Sequence, residues 1–395
     1  MSIIAAITTP FGEGGVAIIR ISGAGVFSVL KNNIGLINIE EKGKNTINFA
    51  HFLDDDGSKI DEILVSKFIK PNSYTGEDTL EINCHGGIYV TNKILKTISK
   101  NDAIRLAERG EFTKVAFLNG KKSMSEVQGV FDVIKANNEQ SLKIATSSLF
   151  GETEKMIEKM RQDLMDIVSL IEVNIDYPEY NDIEGPTYEK LRAENEKYLN
   201  KIEEILIDSR KGEVLKNGIK TLIVGIPNVG KSSILNALSR EEKAIVTSEK
   251  GTTRDWIEVK VNLGNITLNL IDTAGVRETT NIVEKIGIEK TIEQIDSAEL
   301  IIFVTENGIK LTKEEEYIKE KITGKKVITL VNKIDIFRSF QTKGLVNEVP
   351  ISVKKGIDNN EIENMIIKLF GFKDLELNNY GILSGRKIED AIHNT

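Results

Sequence analysis

Gly225-Ile-Pro-Asn-Val-Gly-Lys-Ser-Ser233 stands between the apolar run Ile219-Lys-Thr-Leu-Ile-Val224 and the helix-like Ile234-Leu-Asn-Ala-Leu238. That order is a strand, a phosphate-binding loop and a helix. Glycines at 225 and 230 let successive backbone N–H groups turn inward around phosphate oxygens, and Lys231 can reach the outer two phosphates. Ser232 can offer its hydroxyl to Mg²⁺ at a helix N-terminus whose dipole favours anions. The flanking strand and helix separate this stretch from an incidental glycine-rich turn.

Outward from the loop, residues 214 to about 375 alternate strand-like and helix-like segments. The strand-like ones are Thr221 to Val224, Ile257 to Val261, Ile266 to Ile271, Leu300 to Val304, Val327 to Val331 and Val349 to Ser352. The alternation predicts a mostly parallel sheet covered on both faces, with its ligand at the carboxyl ends of the strands. Asp272-Thr-Ala-Gly275 falls at such an end, where the carboxylate can hold a Mg²⁺-bound water and the Gly275 N–H can sense a third phosphate. Asn332-Lys-Ile-Asp335 falls at another. Its aspartate can accept two hydrogen bonds from the N1–H and 2-amino group of guanine, and a site built on such bonds rejects the wrong base by up to about 10⁴-fold. Ser352-Val-Lys354 supplies a backbone contact to the same base, and Gly251-Thr-Thr-Arg-Asp255 offers the Thr253 hydroxyl to the magnesium. Together these elements predict an α/β P-loop GTPase domain of the Ras-like type over residues 213–375.

The rest of the composition is that of an ordinary globular chain. Its 395 residues carry a net charge of −8, so no global positive field draws the protein to nucleic acid or to an anionic membrane. With 40% hydrophobic residues it can bury real cores in about two to three domains. Cys84 is the single cysteine, which excludes an internal disulfide framework and a multi-cysteine zinc site and suits a reducing cytoplasm. The first residues have no basic run and too short an apolar stretch for a signal peptide, and Leu300-Ile-Ile-Phe-Val304 is strand-sized, so nothing is expected to target or span a membrane.

Residues 1–120 read as a small α+β domain, with strands at Val16 to Ile21, Ile63 to Ile69 and Thr79 to Cys84 and turns at Gly12 to Gly15, Ser22 to Gly25 and Gly86-Gly87. Cys84-His85 reads as a structural cysteine beside a hydrogen-bonded histidine. Arg20 and Glu81 each interrupt an apolar strand; they need partners if buried, or they lie on solvated faces. Residues 121–212 are helical, with Val127, Val130, Phe131 and Ile134, then Met156, Met160, Leu164, Ile167, Val168 and Ile171 at three- and four-residue steps. A loop is expected at Asp176 to Pro186, a helix from Tyr188 to Ile207, and a polar linker at Ser209-Arg-Lys-Gly212. Residues 376–395 begin a further helix.

Asp272-Thr-Ala-Gly-Val-Arg-Glu278, Gly251-Thr-Thr-Arg-Asp255, Pro71-Asn-Ser-Tyr-Thr-Gly-Glu-Asp78, His85-Gly-Gly87, Gly110-Glu-Phe-Thr113 and Ala116-Phe-Leu-Asn-Gly-Lys121 together resemble the MnmE (TrmE) family of tRNA modification GTPases over nearly the whole chain. The resemblance implies an N-terminal folate-binding domain that forms a homodimer, and a helical domain interrupted by the G domain. It also implies a complex with the flavoprotein MnmG that installs a carboxymethylaminomethyl-type group on the tRNA wobble uridine. The family's 5-formyltetrahydrofolate contacts would fall on Arg20, Glu81 and Lys121. Its K⁺, placed where an arginine finger would otherwise act, would be held by Asn228, Thr247, Glu249 through its carbonyl, and Thr252; Glu284 would orient the attacking water. The expected nucleotide set is then Asn228, Val229, Gly230, Lys231, Ser232, Ser233, Thr247, Ser248, Glu249, Lys250, Gly251, Thr252, Thr253, Asp272, Thr273, Ala274, Gly275, Asn332, Lys333, Asp335, Ser352, Val353 and Lys354.

The pattern departs at the end, where family members carry further helices and a cysteine-bearing tail while this sequence stops at His393-Asn-Thr395. That implies a chain truncated relative to the family, with GTP chemistry retained and tRNA modification lost or reduced. Two other readings are an Era- or Der-like ribosome-assembly GTPase, which lacks the front-end motifs, and a remnant that binds GTP and folate without modifying tRNA.

Overall fold

The computed structural model describes residues 2–41, 43, 45–176, 188–240, 259–271, 294–308, 310–336 and 339–372. It divides into two compact units, Met1–Val127 and Gln128–Thr395.

The first unit is built on a seven-stranded sheet in the order β3-β4-β5-β6-β2-β1-β7. Its strands are β1 (Ile3–Ile7), β2 (Gly14–Ser22), β3 (Ile34–Gly35), β4 (Thr46–Leu53), β5 (Lys59–Phe68), β6 (Thr79–Gly86) and β7 (Ile104–Leu106), with helices α1 (Val26–Val29), α2 (Ile88–Ile98) and α3 (Glu111–Leu118). All pairings are antiparallel except β1 with β7. Ile19, Ile21, Leu80, Ile82 and Cys84 alternate along β2 and β6 into one core with Ile94 and Ile98 of α2. The period of two therefore sends Arg20 and Glu81 to the other face. The strands expected at 16–21, 63–69 and 79–84 are present; β1, β3, β4 and β7 are additions the sequence reading did not make, and Gly14 and Gly15 belong to β2 rather than to a turn.

The second unit contains α4 (Met124–Lys135, shared with the first), α5 (Glu139–Leu149), α6 (Glu152–Asp176) and α7 (Tyr188–Asn217). The polar linker expected at Ser209 to Gly212 is absent: α7 runs through it for 30 residues. The reason is periodicity, since Ile205, Ser209, Gly212 and Leu215 are all buried at helical spacing. On α4 the buried side includes Gly129, whose added Cβ would lie 2.5 Å from the Leu149 backbone nitrogen, and Asp132, which pairs with Lys216 at 2.7 Å. Phe131 and Ile134 are instead exposed. Met156 and Met160 pack against Ile202, Ile205 and Leu206.

The same unit holds a six-stranded sheet in the order β13-β12-β11-β8-β10-β9. Its strands are β8 (Ile219–Val224), β9 (Val259–Leu263), β10 (Ile266–Ile271), β11 (Leu300–Glu306), β12 (Val327–Asn332) and β13 (Glu348–Pro350). Only β9 is antiparallel to its neighbour, so the sheet is mostly parallel as expected. Helices α8 (Lys231–Arg240), α9 (Lys313–Lys321) and α10 (Asn359–Phe370) accompany it. Every residue of β12 is buried, as a strand covered on both faces requires. The chain thus has a multi-domain architecture, with an α+β front end, a helical middle and an α/β domain built on a mostly parallel sheet. Of the loop expected at Asp176 to Pro186, Asp176 is the last residue of α6, and the rest, like the expected helix at 376–395, lies outside the described residues.

Candidate functional site

Four parallel strands, β8, β11, β12 and β13, bring their carboxyl ends to one edge of the second sheet. At that edge the loop 225–230 leaves β8 and enters α8. Gly225 has φ 156° and an added Cβ would lie 2.4 Å from the Val304 carbonyl oxygen, so only glycine lets the loop leave beside β11. Asn228 adopts the left-handed region at φ 64°. The Lys231 ammonium donates to the carbonyls of Gly225 (2.8 Å) and Ile226 (2.9 Å), which folds it back across the loop it would serve.

The segment Asn332 to Asp335, expected to read the base, is braced against this loop. Asn332 is buried at the end of β12 and its Nδ2 donates to the Val229 carbonyl at 2.8 Å. An added Cβ on Gly230 would sit 2.4 Å from that nitrogen, so the second glycine of the loop is what lets the asparagine reach it. Lys333 follows at φ 63° and pairs with Glu306 at 2.6 Å. The Ser352 hydroxyl donates to Asp335 Oδ1 at 2.7 Å and holds this carboxyl below the usual range. Asp335 is therefore an ionised acceptor at neutral pH, the form that can receive guanine N–H groups. Ser352 also closes a turn: the Lys355 N–H donates to its carbonyl, and Gly356 at φ 101° completes it. The structure thus gathers Asn228, Val229, Gly230, Lys231, Ser232, Ser233, Asn332, Lys333, Asp335, Ser352, Val353 and Lys354 at one edge. Glu306 was not singled out from sequence; its only signal is its place at the end of a strand ending on this edge.

Thr247, Ser248, Glu249, Lys250, Gly251, Thr252, Thr253, Asp272, Thr273, Ala274, Gly275 and Glu284 lie outside the described residues.

In the first unit Arg20 and Glu81 are direct cross-strand partners, with Arg20 Nε donating to Glu81 Oε1 at 2.7 Å. The guanidinium lies 4.9 Å from the Tyr74 ring centroid and 5.5 Å from that of Phe112. This answers the question their sequence posed: each is the other's partner on a half-buried face. Lys121 reaches the same neighbourhood by another route. Asn119 Nδ2 donates to the Thr75 carbonyl at 2.8 Å, and the Lys121 stem lies 3.0 Å from where a Cβ on Gly76 would be. The loop bearing Tyr74, Thr75 and Gly76 thus meets Arg20 at the Tyr74 ring and the Lys121 stem at Gly76. Tyr74 and Phe112 were missed as individuals, although both lie inside motifs quoted above. Cys84 is buried, its thiol pushed up by burial, and His85 is held by Asp61 through both its ring (2.7 Å) and its backbone N–H (2.8 Å), the structural roles expected.

Comparison with known proteins covers both units. The profile of the GTP-binding protein TrmE N-terminus matches residues 3–121, and that of the MnmE helical domain matches residues 124–395. The tRNA modification GTPase MnmE of Lactiplantibacillus plantarum is 40% identical over 394 residues, 98% of this chain and 85% of that one. That of Ligilactobacillus salivarius is 42% identical over 374 residues, 93% of this chain and 80% of its own. Among solved structures, Aquifex aeolicus Era bound to GDP and aluminium fluoride is 29% identical over 38% of this chain and 56% of that one, with a TM-score of 0.30. The two profiles and the near full-length identities replace the ribosome-assembly reading. With profiles matching residues 3–121 and 124–395 and 40% identity over 98% of its length, the chain belongs to the MnmE family of tRNA modification GTPases.

Proposed function

We propose that this GTPase is activated by K⁺ and works with the flavoprotein MnmG to build a carboxymethylaminomethyl group on the wobble uridine of tRNA. The observation that supports the nucleotide part of this reading is the bond between Asn332 and Val229, which ties the segment expected to read the base to the loop expected to hold the phosphates; the tRNA part rests on membership of the family. Lys231 meets the outer phosphates, Asp335 receives the guanine N–H groups, and the Ser352 to Lys354 turn supplies the backbone contact to the base. A hard cation such as Mg²⁺ takes oxygen ligands, and Ser232 in the first turn of α8 fits that need together with Thr253. K⁺ would be held by Asn228, Thr247, Glu249 and Thr252, where its charge offsets that developing between the phosphates. The left-handed Asn228 is consistent with such a tight turn. Asp272 to Gly275 and Glu284 complete the set as the phosphate-sensing segment and the water-positioning carboxylate.

In the front end we assign a 5-formyltetrahydrofolate site to Arg20, Glu81 and Lys121. An acceptor and donor pair beneath two aromatic rings suits a flat heterocycle with N–H groups, and a lysine suits its carboxylates. Domain limits of 1–120, 121–212, 213–375 and 376–395, a homodimer through the front end and a cytoplasmic site of action complete the proposal. Among the described residues no helix is long and apolar enough to cross a membrane. The test is GTP hydrolysis in potassium and sodium salts at equal ionic strength, paired with mass spectrometry of wobble nucleosides in cells relying on this gene. Faster turnover in potassium is expected, and equal rates remove the K⁺ element; the modified uridine supports the tRNA product, whereas an unmodified wobble position favours the reading that binds GTP and folate without modifying tRNA.

A further inference from the structure

The β9–β10 hairpin joins, in sequence, two segments read as facing the nucleotide: Gly251 to Asp255, which offers Thr253 to the magnesium, precedes β9, and Asp272, which opens the phosphate-sensing segment, follows the last residue of β10. The hairpin is gripped at several points by helical elements. Asn138 Nδ2 donates to Thr267 Oγ1 (2.9 Å), Thr267 Oγ1 donates to Asn262 Oδ1 (2.8 Å), and Asn262 Nδ2 donates to the Asn137 carbonyl (3.2 Å). Thr267 and Asn262 face each other across the strand pair, so the bonds close a ring through both strands and the α4–α5 junction. Further along, Asn269 Nδ2 donates to the carbonyl of Asn217, the last residue of α7, at 2.8 Å. At the tip the Asn265 N–H donates to Glu363 of α10 at 2.8 Å.

Asn138 is the telling member. Its Oδ1 caps α5 by accepting the Ser141 N–H at 2.7 Å while its Nδ2 holds Thr267, which is buried. One carboxamide thus ties a helix start to a strand. Protein N–H···O bonds span about 2.7–3.2 Å, and one bond of the ring already lies at 3.2 Å, so a sliding hairpin carries the ring with it or breaks its longest bond.

We propose that the Asn138–Thr267–Asn262 ring couples nucleotide state to the helical segment, passing a displacement of the hairpin to the cap of α5. The coupling rests on the reading of 251–255 and 272–275 as nucleotide-sensing. Thr267 and Asn138 are positioning residues in it and touch no nucleotide.

The test is amide hydrogen exchange of the full chain with GDP and with a non-hydrolysable GTP analogue. Amides of residues 136–141 should differ between the two nucleotides by about fivefold or more, the low end of ordinary coupling between sites. Thr267→Val should erase that difference with nucleotide affinity unchanged, and Thr267→Ser should restore it. If the valine variant loses its cooperative melt, Asn138→Ser replaces it, since serine keeps the cap but cannot reach Thr267. A difference that persists in these variants overturns the coupling, as does a parent chain that binds both nucleotides with identical exchange. A parent chain that binds neither nucleotide overturns the nucleotide reading and the coupling with it.

Discussion

The two sheets of this protein put their chemistry in different places. In the six-stranded sheet the central strands are buried on both faces, and the candidate groups sit where the strands stop. In the seven-stranded sheet α2 covers one face, and Arg20 and Glu81 sit in mid-strand on the other. A parallel strand covered on both sides has only its ends free for a polar ligand, whereas an antiparallel strand covered on one side can spend every second residue on one. Substitutions at strand ends in the GTPase domain should therefore change chemistry and spare stability, those in its strand interiors should do the reverse, and the front end should allow both from the same strand.

The largest expected effect is on base choice. Asp335→Asn should shift preference from GTP toward xanthosine triphosphate, whose 2-oxo group suits an amide donor, by up to about 10⁴-fold with the melting temperature unchanged. Competition binding with the two nucleotides measures this; an unchanged preference means the base is read elsewhere. Next comes Phe303→Ala, in the middle of β11 and fully buried. It should cost about 3–5 kcal/mol of stability, read by denaturant unfolding. A loss under 1 kcal/mol, on the scale of roughly one surface contact, would show that the sheet is less tightly covered than described.

Smaller effects are expected in the front end. Arg20→Ala should cost no more than about 1 kcal/mol of stability, because the pair with Glu81 is partly exposed, yet it should weaken 5-formyltetrahydrofolate binding in calorimetry. Unfolding would make the pair structural and blur the contrast between the sheets. The smallest effect is on acid stability. Lys93 and neighbouring N–H and O–H donors hold Asp54 at about 2, from an ordinary 3.8, and Arg105 holds Glu111 at about 2, from 4.5. Both are depressed, so their contribution is whole above about pH 4.5 and is lost as pH falls toward 2. Melting temperatures of Asp54→Asn and Glu111→Gln across that window should fall less steeply than the parent's.

The contrast also decides what could be read from the chain. Strands buried on both faces are continuous apolar runs, so Leu300 to Val304 and Val327 to Val331 announced themselves, and the motifs behind them could be placed at strand ends. In the front end β4, Thr46-Ile-Asn-Phe-Ala-His-Phe-Leu53, mixes exposed apolar with buried positions, and β7 is three residues long. Neither has a pattern strong enough to stand out. The pairing of Arg20 with Glu81 is a fact of register across 61 residues and has no local signal. At Gly212 the error ran the other way, because a polar stretch with a glycine was given more weight than the helical period continuing through it.

The junction of α7 with the GTPase domain fixes an angle as well as a connection. The helix covers 30 residues, about 45 Å at 1.5 Å per residue, and only Gly218 separates its last residue from the strand that ends in the phosphate loop. Each added or deleted residue in its final turns would rotate everything upstream by about 100° about the helix axis. Leu215 would then leave the core it shares with Ile219 and Ile223. A chimera exchanging the GTPase domain between relatives must consequently conserve phase as well as length, so its splice point belongs within the helix at a matched residue.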